Sequence, residues 1–195
     1  MRQKTKELIF EGALRSFAEK GYTETTMEQI AVSCGVAKGT LYYNFKTKEE
    51  LYIFVIESGV ERFISMIKDY IESSDHNHFR QRILRLIDAH LEFFQKETAF
   101  CRLLLSKVWG VEERQYTIRH VLQGYFQLIE SEVDLAKEKG VISKSIDSQI
   151  TASSFFGTVG FTAMRSIILG RSLDDPALRY TLQTLILQSL GIYEE

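Results

Sequence analysis

The stretch Thr26-Met27-Glu28-Gln29-Ile30-Ala31-Val32-Ser33-Cys34-Gly35-Val36-Ala37-Lys38-Gly39-Thr40-Leu41-Tyr42-Tyr43-Asn44-Phe45 decides the reading of the fold. Thr26 with Gln29 three residues on is a capping box, in which hydroxyl and amide side chains satisfy each other's backbone donors at a helix start. Met27, Ile30, Ala31 and Cys34 follow the i, i+3, i+4, i+7 spacing of one buried helical face. Gly35 supplies a left-handed stop. A turn of about three residues then leads into a second short helix, over roughly 37–43. This is the outline of a helix-turn-helix.

In the second helix Leu41 and Phe45 lie one turn apart and should face the core beside Val36. Lys38, Gly39, Thr40, Tyr42, Tyr43 and Asn44 are then left outward or at the edges. Such a surface fits a duplex groove: hydroxyls and amides reach bases or phosphates, and a tyrosine ring can pack on a thymine methyl. Gly39 permits close backbone approach. Lys48 stands at the positive end of the next helix, placed for a phosphate.

Working outward, a helix over about 5–20 precedes this unit, with Ile9, Ala13, Leu14, Phe17 and Ala18 on one face and Gly21 ending it. Thr47-Lys48-Glu49-Glu50 is a second capping box that opens a long helix to about Ser73. Further helices are expected over about 79–96, 99–109, 113–139, 147–169 and from a cap at Asp175, with Pro176 at the first helical position. One proline in 195 residues and no competing strand signal make the chain all-α, with about nine helices. The expected division is a head over 1–48 and a larger helical bundle over 49–195.

Charge follows the same division. Residues 1–48 hold eight Lys/Arg against five Asp/Glu, while 49–195 hold sixteen against twenty-one. A positive head on an acidic body suits a protein that meets nucleic acid through one small face. With 45% apolar and 26% charged residues, disorder is excluded. The longest uncharged run, 148–164, is too short and too rich in Ser, Thr and Gly to span a membrane. No signal-peptide core is visible, so the cytoplasm is the expected location. Cys34 and Cys101 lack metal-ligand spacing and read as core packing rather than as oxidant sensors.

No catalytic motif stands out. His76, His78, His90 and His120 show no metal-binding spacing, there is no glycine-rich phosphate loop, and no serine has a nucleophile-elbow context. An enzyme is not expected, nor any cofactor or metal. The body instead carries many large apolar side chains, from which Phe63, Ile67, Ile87, Phe94, Leu104, Trp109, Tyr125, Phe126, Phe155 and Phe161 are candidate lining for a small-molecule pocket, with His90 and Thr158 as polar anchors. A hydrophobic effector is expected, such as an acyl chain or a lipophilic toxicant. The last two helices are apolar on more than one side, which predicts a homodimer joined through a four-helix interface.

From Ile9 to Leu51 the chain resembles the DNA-binding domain of TetR-family bacterial regulators. The resemblance runs through Phe17-Ala18-Glu19-Lys20-Gly21-Tyr22, Thr25 to Ala31, Gly35 to Phe45 and Lys48 to Leu51. It implies that Thr26, Lys38, Gly39, Thr40, Tyr42, Tyr43, Asn44 and Lys48 face or touch DNA. It further implies a dimeric repressor on a double-stranded palindromic operator, released by its ligand. Ala37 departs from the serine that often caps the recognition helix, removing one phosphate contact. Asn44 replaces a frequent histidine or tyrosine, and asparagine can pair bidentately with adenine. A structural DNA-bound protein working through protein partners is the competing reading, and would show many genomic sites and no ligand response.

Overall fold

The computed structural model describes residues 3–73, 78–108 and 112–193, with side chains described outside 105–119. Among the described residues the order is α1 (Gln3–Glu24), α2 (Met27–Cys34), α3 (Lys38–Asn44), α4 (Lys48–Glu72), α5 (Phe79–Lys96), α6 (Thr98–Val108), α7 (Glu112–Glu138), α8 (Ser148–Ile168) and α9 (Pro176–Ser189). They contain no strand.

The ends of these helices are written in local chemistry. Thr26 caps α2 with both halves of its capping box formed, Gln29 N–H to the Thr26 hydroxyl and Thr26 N–H to the Gln29 side chain. Gly35 closes it at φ 65°, a conformation that costs any other residue its Cβ contacts. Asp147 and Asp175 cap α8 and α9 through the N–H groups of Ile150 and Ala177. Gly21 breaks the first helix at φ 76°, as expected, and a short helical piece follows it to Glu24. One expectation changes. At the start of α4, Thr47 accepts from Glu50 N–H, but the Glu50 carboxylate takes the N–H of Lys46, one residue before the cap.

The chain packs as two compact units. The first holds Met1–Glu61 and Ala99–Val121. In it α1 packs on α2 and α2 on α3. Its core includes Ile9, Phe10, Leu14, Ile30, Leu41 and Leu51, all nearly inaccessible to water. Gly12 marks the contact between the first two helices: a Cβ there would lie 2.6 Å from the backbone of Cys34, so α1 and α2 touch backbone to backbone. Cys34 is buried there, and burial pushes its thiol up to about 11, which keeps it an inert packing group. Phe17, Tyr22 and Tyr52 form a three-ring cluster that seats the first half of α4 against α1.

The second unit holds Arg62–Thr98 and Leu122–Glu195. Here α5 packs on α8 and α9, and α8 on α9. Phe79, Ile83, Leu86, Ile87, Leu91 and Phe94 are the buried stripe of α5, and Arg82 lies in the same stripe at 2% exposure. On α8 the buried face is Ala152, Phe155, Val159, Gly160 and Ala163.

Candidate nucleic-acid interface and effector core

In α3 only Leu41 is buried, and Phe45 follows it into the core just beyond the helix. That anchorage forces the other side chains out. Lys38, Gly39, Thr40 and Tyr43 are exposed, Tyr43 to 81%, while Tyr42 and Asn44 are half-buried at the edges. Ala37 offers no side-chain cap to the helix, as its methyl group requires. Thr26 is exposed at the start of α2, its hydroxyl already serving as a cap. Sequence spacing therefore placed this face correctly.

Three of its members are engaged within the chain. The Asn44 side-chain amide donates to the carbonyl of Thr40 at 2.7 Å. Base pairing by Asn44 would need that side chain to swing outward. Lys38 Nζ lies 2.7 Å from a carboxylate oxygen of Glu28, on the solvent side of α2. Tyr42 donates its hydroxyl to the same oxygen at 3.3 Å. The Lys38 hydrogen bond holds the Glu28 carboxyl below the ordinary carboxylate value, and the Lys38 ammonium is raised in return. The spacing of Glu28 and Lys38 carried no signal of this contact, since it spans the turn between two helices.

Lys48 is tied more closely than the sequence suggested. Its Nζ donates to the carbonyls of Tyr22 (2.7 Å), Thr23 (3.2 Å) and Thr25 (2.8 Å), and sits 4.6 Å above the Tyr22 ring. An ammonium has three N–H donors, and all three are used. The first residue of α4 is thereby fastened to the corner between α1 and α2. A phosphate at Lys48 would have to replace one of these bonds.

The candidate effector residues divide. Phe63, His90, Tyr125 and Phe126 come together in the second unit with Phe93, Phe155 and Phe156. Phe63 stacks on Tyr125 at 5.3 Å and meets His90 edge-on at 4.9 Å. Phe155 meets the other side of His90 at 5.0 Å, and Phe126 and Phe156 flank Tyr125. Ile67, Ile87 and Phe94 are buried in this unit, and Thr158 is half-buried on α8. Leu104 is buried in the first unit, and Trp109 lies outside the described residues. Phe161 is not core lining: it is 58% exposed, because Phe155, Val159 and Ala163 define the buried side of α8.

At the centre, His90 is wholly buried and fully bonded. Its Nδ1 lies 2.6 Å from the carbonyl of Leu86, which can only accept, so Nδ1 carries the proton. Nε2 then accepts from the Tyr125 hydroxyl at 2.8 Å. Burial lowers the imidazole to about 4 and pushes the Tyr125 hydroxyl up, so both are neutral near pH 7.

Beside this cluster runs an apolar crevice, of whose lining only Phe155 was among the expected residues. Phe79, Ile83, Leu86, Ile129, Val133, Ala136, Ile142 and Phe155 line it, and its one charged feature is the Arg82–Glu132 pair. Its cavity is about 40 Å³, near the ~30 Å³ share of a single water, so the side chains close on one another. Arg82 donates from Nε to Glu132 at 3.2 Å and from a terminal nitrogen to the same oxygen. The signal was present in the sequence: Arg82 stands three residues after Phe79 and four before Leu86, in the apolar phase of the helix.

No group of three or more His, Cys, Asp or Glu side chains able to hold a metal occurs among the described residues. No helix among them is long and apolar enough to cross a membrane.

Residues 9–53 match the bacterial regulatory proteins of the tetR family, and residues 56–189 match the C-terminal region of YsiA-like proteins. The fatty acid metabolism regulator protein of Bacillus subtilis (strain 168) is 24% identical over 184 residues, 93% of each chain. A putative fatty acid metabolism regulator of Clostridium perfringens is 31% identical with a TM-score of 0.80, covering 96% of this chain and 100% of that one. The regulator FadR from Bacillus subtilis, solved in complex with stearoyl-CoA, has the same fold at 22% identity, with a TM-score of 0.83 and coverage of 96% and 99%. A DNA-binding helix-turn-helix followed by a helical C-terminal region, with matches across both, makes this chain a transcriptional regulator, and it belongs to the TetR family.

Proposed function

We propose that this protein is a homodimeric cytoplasmic repressor that holds a palindromic operator and is released by a long-chain fatty acyl ligand, of which an acyl-CoA is the model case. The observation that carries the DNA part is the outward face of α3, where Leu41 alone is buried while Lys38, Thr40 and Tyr43 face solvent. Residues 1–48 would read the duplex and residues 49–195 would bind ligand and dimerise.

The dimer is supported by solvent-facing apolar side chains on the last two helices. Ile150, Phe161 and Ile168 lie exposed on α8, as do Tyr180 and Leu185 on α9. Large apolar side chains left exposed on two packed helices suit a protein contact. Two-fold pairing would present two copies of α3 to successive major grooves, about 34–36 Å apart.

The effector class is supported by the stearoyl-CoA held by the related regulator and by the chemistry of the second unit. A neutral His90–Tyr125 pair among aromatic rings, beside an otherwise apolar crevice, suits a hydrocarbon chain. The ligand would favour a dimer in which the reading helices are misplaced, so that its differential affinity for the two states lowers operator affinity.

Gel shifts test both parts, on a duplex selected by the protein from a random pool. Stearoyl-CoA should dissociate the complex, and coenzyme A alone should not. Tyr43→Ala should lose about tenfold or more in operator affinity, the size of one base-level contact, with an unchanged melting curve. Undiminished specific binding by that variant overturns the reading face, and a complex indifferent to stearoyl-CoA overturns the effector class.

A further inference from the structure

We infer that Glu28 is a specificity-determining residue of the DNA interface, one that holds Lys38 and Tyr42 in register and makes a duplex break an ion pair before Lys38 can settle on a phosphate. The inference rests on the DNA-reading role of α3. It is carried by geometry: one carboxylate oxygen of Glu28 receives both the Lys38 ammonium, at 2.7 Å, and the Tyr42 hydroxyl, at 3.3 Å. Lys38 also lies 5.6 Å over the Tyr42 ring, so the three side chains close a triangle across the turn between α2 and α3.

The position of Glu28 gives the contact its meaning. Met27, Ile30 and Ala31 turn one side of α2 into the core and leave Glu28 on the other. Side-chain exposures of 53% for Glu28 and 61% for Lys38 leave both within reach of a duplex. A carboxylate beside a polyanion is unfavourable in itself. Non-specific affinity comes from lysine and arginine neutralising phosphates, and Glu28 takes one such lysine out of that role. Random DNA loses a contact that it would otherwise share with the operator.

The same group discriminates among bases. An ionised carboxylate is acceptor-only, and Glu28 stays ionised because Lys38 lowers its proton affinity. Cytosine N4 and adenine N6 can donate to it, whereas guanine presents only acceptors, N7 and O6, on its major-groove edge. One base position in each half-site should therefore exclude guanine through this residue, a rejection rather than an attraction.

The test is a double-mutant cycle with Glu28→Gln and Lys38→Gln in the full-length protein. Affinity is measured for the selected operator and for a scrambled duplex across a KCl series. Glu28→Gln should bind the scrambled duplex about tenfold more tightly as a dimer, threefold for each head, the size of one exposed ion pair released. The operator-to-scrambled ratio should fall, and the salt slope should steepen by about one unit per head. In the Lys38→Gln background the same change should leave the slope unaltered. Reselection with Glu28→Gln should admit guanine at one position per half-site.

A Glu28→Gln effect that persists in the Lys38→Gln background is general charge removal, and overturns the inference. So does an unchanged ratio with an unchanged selected sequence. Both results leave the DNA-reading role of α3 intact, since wild-type protein still enriches an operator. If wild-type protein enriches no duplex at all, that role fails first and the inference falls with it.

Discussion

The face of α3 and the centre of the second unit are built on opposite physical terms. The α3 face is polar and wet, anchored by one buried leucine with an exposed carboxylate beside it. The aromatic centre is dry and uncharged, with every polar atom of His90 bonded inside. The exposed polar face takes its stability from what lies beneath it. The dry core keeps water out and holds both of its titratable side chains, His90 and Tyr125, neutral near pH 7.

Three measurements bear on that contrast. Phe63 touches His90, Phe93 and Tyr125, and Phe63→Ala should destabilise the second unit by about 4 kcal/mol. Amide exchange should show the loss in α5 and α8, with α2 and α3 keeping their protection. Uniform loss along the chain would break the contrast.

Gly12→Ala strikes the other region. Its Cβ would sit 2.6 Å from backbone atoms of Cys34, which cannot rotate away. Separating α1 from α2 should cost about 2 kcal/mol, read as lost protection in α1–α3 and weaker operator binding. A variant that protects and binds like wild type would show that α1 and α2 have room to part.

The third effect is the most gradual. His90 has its folded value lowered by burial to about 4 from the ordinary imidazole value of 6.5, so the unfolded chain takes up the proton first. Its contribution is complete above about pH 6.5 and is lost as pH falls toward 4, with a slope of up to about 1.4 kcal/mol per pH unit. Imidazole resonances followed by NMR should show His90 uncharged at pH 5.5. A half-point near 6.5 would mean that water reaches the ring.

What the sequence disclosed depended on range. Capping side chains, a proline at N1 and glycine stops act over three or four residues, so the ends of α2, α8 and α9 were legible within one or two positions. The outward face of α3 followed from Leu41 and Phe45. Contacts made across turns were not legible. Gly12 entered no expectation, because its reason lies 22 residues away, in the backbone of Cys34. Lys48 read as a phosphate ligand because charge and position were visible, whereas the three carbonyls that hold it were not. The aromatic cluster was anticipated by residue type, but Phe161 was assigned to it in error, since an apolar residue on a two-sided helix carries no mark of which side it serves. Arg82 could have been found. Its phase placed a charge among leucines, and only a buried partner such as Glu132 makes that tolerable.

The bond from Tyr125 to His90 gives the molecule an internal gauge. A phenolic proton enclosed by rings and shared with an imidazole nitrogen exchanges slowly with solvent, so it should stand apart as a discrete downfield resonance. Any hydrocarbon that shoulders those rings aside would alter its frequency without a label having been attached.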